Sequence, residues 1–367
     1  MKRYIIRLSS PIAAILLLLT IVFILSGTPG SASQAEQVMV SVIDPGGGNI
    51  SPQTISTLSS ADSLPWTRER MLAARPYPEE SLDGELDFSL QLSQPAGEPG
   101  FIPGSPPAAD PIQLVAPTDA QSISQAVAFG YDYPAPYARY QNFDSYQVYP
   151  YSTVGVLFFT QYGADYRCSA ASIGNHAIWT AGHCIHKGDG SIAGWSSNMV
   201  FVPAYKNGFA PLGIWSVYHI TTKGSWFEFG DLRFDMGGAL LNEYYGQSIS
   251  EYVGSLGFAY NMENSLHWLN MGYPSSAPFD GQTQQICAGS FAYADTSMPA
   301  PSPVAMGCDM TGGSSGGPWI LNFSGQAGGT NYLNGNNSYR YTMHPQELFS
   351  PYFGDAAKLL YDELIAG

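Results

Sequence analysis

The sequence predicts an all-β domain of many short strands, and two observations carry that prediction. Short apolar runs recur along the chain with turn residues between them. Charged residues are few, 12% of 367, while Gly, Tyr and Pro are abundant. In order, the strand-like runs are residues 154–160, 199–202, 214–220, 252–259, 266–271 and 318–321. The last segment, residues 355–365, reads instead as a helix: Asp355 is placed to cap it, and Leu359, Leu360 and Leu364 give it an apolar face.

The chain divides into three parts. Lys2, Arg3 and Arg7 precede an apolar run over residues 12–25, and the small residues Gly30, Ala32 and Ala35 come after it. A basic end, a short apolar core and a small-residue cleavage site make a signal peptide over residues 1–35. The apolar core is short against the ~20 residues of a membrane span, so a membrane is a partner only if the signal sequence stays uncleaved. Residues 36–145 are rich in Pro, Ser and Gln, form a core poorly, and read as a propeptide or low-complexity linker. Either they restrain the downstream domain until cut, near Arg139 or within residues 140–149, or they are an export spacer. Residues 146–367 form the folded domain. The net charge of −15 argues against nucleic-acid and anionic-membrane partners, which prefer basic patches. The N-x-S sequons at Asn49, Asn322 and Asn336 are treated as chance matches. No phosphate loop, internal repeat or metal-binding C-x-x-C spacing is present, and no cofactor is expected.

Two stretches carry chemistry. In Asp309-Met310-Thr311-Gly312-Gly313-Ser314-Ser315-Gly316-Gly317-Pro318, glycines frame a serine pair. Glycine takes positive φ and allows close approach, so a serine here can sit on a tight turn beside free backbone N–H groups, as a nucleophile with an oxyanion hole requires. Alone, such a cluster is more often a plain loop. In Ala177-Ile178-Trp179-Thr180-Ala181-Gly182-His183-Cys184, an apolar strand ends in small residues and a histidine. A serine hydroxyl needs such a base, being a weak nucleophile at its own pKa. A lone histidine is more often structural, but here it has a serine loop downstream to serve.

Together, Trp179-Thr180-Ala181-Gly182-His183-Cys184 and Gly313-Ser314-Ser315-Gly316-Gly317-Pro318 resemble the histidine and serine motifs of trypsin-like, chymotrypsin-fold serine proteases. The resemblance covers about residues 146–367 and implies two packed six-stranded antiparallel β-barrels with the site in the cleft between them. It also implies the order His, Asp, Ser. Asp235, followed by the apolar Ala239-Leu240-Leu241, matches the family's aspartate. It lies 52 residues after His183 and 80 before Ser315, against about 45 and about 93 in the chymotrypsin-type template. Asp231 is the runner-up. On this resemblance His183, Asp235 and Ser315 are the catalytic set, and the amides of Gly313 and Ser315 are the oxyanion hole. Ser314 precedes the nucleophile, and His186 is a surface residue outside the motif. Cys168-Ser169-Ala170-Ala171-Ser172-Ile173 resembles the strand carrying the partner of Cys184, so the disulfides implied are Cys168–Cys184 and, for the remaining two, Cys287–Cys308. Disulfides suit an exported chain.

The resemblance also has departures. Many family members carry Asp where Ser314 stands and switch on by pairing it with a new N-terminus; that pair cannot form here. Glutamyl-endopeptidase-like bacterial and fungal relatives lack this Asp too, and the chain is most similar to that branch. Asp309, Met310 and Ser338 are expected to line the substrate pocket. Asp309 stands where trypsin-type enzymes select Arg or Lys, but Met310 replaces the neighbour that glutamate-specific relatives use, and residues 335–339 contain no His. No residue preference is assigned; Arg or Lys comes next and Glu third. The expected protein is a secreted, monomeric serine endopeptidase made as a zymogen and acting on proteins or peptides. The other class in view is a catalytically silent, protease-like surface or binding protein.

Overall fold

The computed structural model describes residues 39–43, 66–84, 97–108, 135–324 and 330–367. The expected signal peptide lies outside the described residues. Among the described residues, no helix is long and apolar enough to cross a membrane.

Nineteen strands among the described residues form two sheets. In the first, β6 (Val154–Gln161), β7 (Ala164–Gly174), β8 (Ala177–Thr180), β11 (Gly237–Leu241), β10 (Trp215–Lys223) and β9 (Ser197–Pro203) pair antiparallel in that order, and β9 closes back onto β6. This is the expected six-stranded barrel. Two short strands add to it, β1 (Met39–Ile43) on β10 and β2 (Arg75–Pro76) on β7.

The period-2 alternation of strand side chains divides the residues of β6 between two cores. Leu157 and Phe159 join Cys168, Ile178, Phe201, Trp215 and Ala239 in the first barrel's interior. Val154, Val156 and Phe158 face the other way, into a cluster shared with Leu256, Phe258, Met271, Ile320 and Phe353 from the second half of the chain. Because both faces are covered, the strand is buried along nearly its whole length.

The second half is an eleven-stranded sheet. Its centre runs β13 (His267–Gly272), β14 (Gln285–Ala294), β15 (Val304–Gly307), β19 (Glu347–Ser350) and β18 (Tyr339–Tyr341) one way. The other way it runs through β16 (Pro318–Leu321) and β17 (Tyr332–Asn336). β17 and β18 are consecutive in the chain, so this path returns on itself like a six-stranded barrel with one interrupted strand. The count exceeds six because β3 (Glu80–Leu82) adds to β18, β12 (Gly257–Tyr260) adds to β17 with β4 (Gly100–Ile102) beyond it, and β5 (Tyr137–Gln141) pairs with β14. Three of these four strands come from residues 36–145, which therefore contribute to the fold despite their composition.

Two local expectations change. Residues 252–259 are not one strand: Ser248 and Glu251 form a reciprocal capping box that starts the helix Ile249–Val253, and Gly254, at φ +84°, ends it before β12. The C-terminal helix spans Asp355–Ala366, but Gly354 is its cap residue. Asp355 is the first helical residue, where its carboxylate suits the helix dipole and accepts from Asn261 at 2.6 Å. The buried face is Ala357, Leu360, Tyr361 and Leu364, with Leu359 turned outward at 38% exposure.

Candidate active site

β8 delivers its end to the cleft. The helix Gly182–Ile185 comes directly after it, and Cys184 is bonded to Cys168 of β7. The second expected disulfide, Cys287–Cys308, is also formed and joins β14 to the loop before the serine turn. His183 is fully buried. Its Nδ1 is 2.8 Å from Asp235 Oδ2, and its own backbone amide donates to Asp235 Oδ1 at 2.8 Å. Asp235 therefore fixes both the ring and the main chain of His183. Burial pushes the His183 pKa down, but the Asp235 carboxylate outweighs it and the net shift is upward. Gly182 has to be glycine here, since a Cβ would stand 2.8 Å from the Trp226 ring and 3.0 Å from Asp235 Oδ1.

The serine loop is two successive β-turns. Ser314 N donates to Thr311 O at 3.1 Å, and Gly317 N donates to Ser314 O at 2.8 Å. The third residue of each turn, Gly313 (φ +94°) and Gly316 (φ +78°), needs positive φ. A Cβ on Gly316 would also fall 2.7 Å from the Ala181 amide and overlap Thr180 Oγ1. The serine turn thus rests on the strand end that leads into His183, and Ser315 O accepts from Ser169 N of β7 at 2.7 Å. Among the described residues, the amides of Gly313 and Ser315 donate to no group, and His183 Nε2 has no hydrogen-bond partner.

Three consecutive residues, the last of β17 and the two that link it to β18, join the two halves of this arrangement. Asn336 Nδ2 donates to Asp235 O at 3.2 Å, while its Oδ1 accepts from Trp179 Nε1 at 3.0 Å. Asn337 Nδ2 donates to Ser314 O at 3.0 Å, and its Oδ1 accepts from Trp319 and Asn270 at 2.8 and 2.6 Å. Ser338 Oγ donates to Asp235 Oδ2 at 2.5 Å. Ser338, expected on the pocket wall, thus joins His183 as a donor to the Asp235 carboxylate. Asn336 is completely buried, so its sequon is closed to modification in the folded chain.

The other candidates lie elsewhere. Asp231 caps the turn Leu232–Phe234 and pairs with Arg233 at 2.6 Å. His186 is buried, not on the surface: its ring bonds Ser191 O at 2.7 Å and accepts from Gly188 N at 2.9 Å, and burial lowers its pKa. Met310 is fully buried. Asp309 is paired with Arg139 of β5 at 3.0 Å, which also ties one expected cleavage position into a strand.

Residues 66–84 cross this site. Thr67 caps the helix Arg68–Ala73. Trp66 is buried against Phe158, with its Nε1 donating to Asn198 O at 2.6 Å. Arg70 grips both carboxylate oxygens of Asp165 at 2.7 Å. Arg167, buried in β7, donates to the helix's terminal carbonyls at Met71 (2.6 Å) and Ala74 (3.1 Å), where a cation suits the dipole. The chain then runs parallel to β7 and lays Tyr77 on His183, with ring centroids 5.2 Å apart and planes at 25°. Tyr77 is 3% exposed and its hydroxyl donates to Gln161 at 2.7 Å. Glu79 pairs with Arg340 at 2.7 Å, Glu80 with Lys187 at 3.0 Å, and β3 runs parallel to β18. Neither this strap nor Arg340 is predicted by the motifs. The signal in the sequence is local: a capped helix and an aromatic-acidic cluster, Tyr77-Pro78-Glu79-Glu80, stand inside a stretch otherwise dominated by small and polar residues.

No family model matches the chain, and no curated protein matches it. Solved structures do. The protease Anisep from Arthrobacter nicotinovorans is 34% identical, the alignment covering 59% of this chain and 96% of that one, with a TM-score of 0.54. The thermostable serine protease AL20 from an extremophilic microorganism is 33% identical, covering 59% of this chain and 97% of that one, again with a TM-score of 0.54. With nearly the whole of each relative spanned at this identity, the chain belongs to the trypsin-like, chymotrypsin-fold serine protease family.

Proposed function

We propose that the protein is a secreted serine endopeptidase, made as a zymogen, that hydrolyses peptide bonds through an acyl-enzyme on Ser315. One observation carries this reading: the buried carboxylate of Asp235 holds His183 at both its Nδ1 and its amide, beside a serine turn whose two outward amides are unused. His183 Nε2 takes the Ser315 proton as Oγ attacks the carbonyl carbon. Asp235 fixes the tautomer and stabilises the imidazolium. The Gly313 and Ser315 amides hold the oxyanion, each such donor lowering the barrier by about 3 kcal/mol. His183 then protonates the leaving amine, and a water, deprotonated by the same imidazole, releases the acid and regenerates Ser315. Each step uses groups of the chain and water alone. Protein or peptide substrates are those expected of the family, and export is supported by the signal-peptide layout with two disulfides.

The zymogen reading rests on the strap. Tyr77 covers the base, and Tyr77 O passes 3.0 Å from where a Cβ of Gly312 would stand. No carbonyl of the strap reaches the Gly313 or Ser315 amide, so it covers the site without presenting a bond to cut. A fluorophosphonate probe tests the proposal. Processed protein is expected to be labelled at Ser315, and labelling is expected to vanish in Ser315→Ala and His183→Ala. Processed wild type that takes no label, or label that survives Ser315→Ala, defeats it.

A further inference from the structure

We infer that Arg340 is the charge-reading residue of the primary substrate pocket, that it selects an acidic side chain on the residue donating the scissile carbonyl, and that Glu79 is its built-in occupant in the unprocessed chain. This rests on Ser315 being the nucleophile.

The placement of Arg340 comes from the residues around it. It stands two residues after Ser338, the donor to Asp235, and is 6% exposed. Its Nη1 and Nη2 donate to the backbone carbonyls of Pro345 and Met310. Met310 lies five residues before Ser315, so the guanidinium is pinned beneath the loop that leads into the nucleophile turn. The third edge, Nε, faces Glu79 Oε2 at 2.7 Å. Glu79 reaches it from the active-site side: its amide lies 3.7 Å from where a Gly312 Cβ would stand, two residues beyond the ring on His183. A side chain that enters beside Gly312 and ends on Arg340 takes the path open to the substrate residue next to the scissile bond.

Two opposite charges compete for the pocket, and geometry separates them. Asp309, the acid that would favour Arg or Lys, is already matched by Arg139. Among the described residues, the groups bonded to the Arg340 guanidinium are two neutral carbonyls and Glu79. A buried guanidinium with no carboxylate is costly. Once the strap leaves, Arg340 therefore favours a substrate that restores the carboxylate and disfavours one that leaves the cation unpaired. Glu in the strap shows that such a side chain fits: the carboxylate is itself largely buried, and burial raises its pKa against the pull of Arg340. The ordering of preferences drawn from the sequence, with Glu third, is thereby reversed.

The test uses the full chain carrying Tyr77→Ala and Glu79→Ala, which frees the pocket while leaving Arg340 intact. Peptides differing only in Glu, Gln, Leu or Lys before the scissile bond are compared by kcat/KM. Glu is expected to exceed Gln by at least about 30-fold, the effect of leaving one partner of a buried charge pair unmatched. Arg340→Met in the same background should bring the ratio to within about threefold, and Arg340→Lys should retain part of the preference. Fluorophosphonate labelling of each variant reports an intact nucleophile independently of preference. A labelled chain that cuts Glu and Gln peptides equally, or prefers Lys, overturns the inference and leaves Ser315 as nucleophile. Absence of label in the Arg340-intact double variant overturns the inference that these two strap side chains occupy the pocket, and Ser315 falls with it only if processed wild type also takes no label. If Arg340→Met alone loses its label, the Glu-to-Gln ratio on intact Arg340 and its decline in Arg340→Lys decide the matter.

Discussion

Removing the Tyr77 ring should switch on the unprocessed chain. The ring is 3% exposed, stacked on His183 at 5.2 Å and in contact with Tyr166 and Phe159 at 5.2 and 5.7 Å. Truncating a buried aromatic to Ala costs about 3–5 kcal/mol when the alternative state exposes it. Here that state is the strap lifted from the cleft while Trp66, Arg70 and Arg167 still anchor the helix before it. Taking the lower end, because a lifted strap retains some contacts, about 3 kcal/mol raises the open fraction by about 100-fold at 1.4 kcal/mol per decade. Tyr77→Phe loses only the 2.7 Å hydrogen bond to Gln161, about 1 kcal/mol, and should raise it by about fivefold. The assay is the rate of fluorophosphonate labelling of intact chain, with mass spectrometry confirming that no cleavage has occurred. The ladder expected is wild type, then Phe, then Ala. Equal rates for wild type and Tyr77→Ala would refute the claim that this ring holds the site shut, whatever the activity of the processed protein.

Four other outcomes are expected. Asp235→Asn should leave the fold intact but lower kcat by about 10⁴-fold, as loss of the tautomer-fixing acid does in the template triad, while Asp231→Asn changes it little; steady-state kinetics with a thermal-melt control separates the two. Gly316→Ala combines forbidden φ with an overlap on Thr180 Oγ1 and should destabilise by several kcal/mol, seen as a drop in Tm; a Tm within about 2 °C of wild type, less than a 1 kcal/mol change produces in a domain of this size, would contradict the tight seat of the serine turn. Asn337→Ala removes one of the two donors to Ser314 O and strands the donors on Trp319 and Asn270, and at about 1–3 kcal/mol per unmet buried group it should lower both Tm and labelling rate; a change in neither would remove Asn337 from the support of the loop. The Arg70 guanidinium holds the Asp165 carboxyl below the usual carboxylate range, so Asp165 contributes stability above about pH 4 that is lost as pH falls through its depressed pKa. Hydrogen exchange over residues 68–73 should therefore separate wild type from Asp165→Asn at about pH 5, and the separation should shrink as pH falls below the ordinary carboxylate range, the difference being modest because both side chains are about one-third exposed.

How far the sequence can be read depends on the distance over which each constraint acts. Gly313 and Gly316 announce their turns because positive φ is a property of one residue, and the β6 and β16 runs announce strands because a short apolar run bounded by turn residues is a local signal. The capping box at Ser248 and Glu251 is equally local, but the apolar run beyond it looks continuous and hides the helix it starts. His186 fails differently. Nothing within a few residues says that Trp195 and Phe227 will close over its ring, at centroid distances of 4.9 and 4.4 Å.

The supporting residues of the site lie beyond local reading for a physical reason. Asn336, Asn337 and Ser338 are bound to the site by long-range contacts: Asn336 to Asp235 and Trp179 across 101 and 157 residues of chain, and Asn337 to Ser314 across 23. Their composition, two amides and a hydroxyl beside glycine, is that of an exposed turn. It is the sheet register that buries them, because β17 pairs with β16 directly after the serine turn and β18 pairs with β19. A short interruption between two paired strands must satisfy its own polar groups internally, and it does so on the two segments the mechanism needs held together. Arg340 is placed by the same register. Two residues past Ser338 on β18, it is carried under the entry to the serine turn, where β3 lays Glu80 to Leu82 alongside it. One interrupted strand thus holds Asp235, the serine turn and Arg340, and on the proposed roles of these groups variants at Asn337, Ser338 and Arg340 should separate into effects on stability, turnover and preference rather than share a single phenotype.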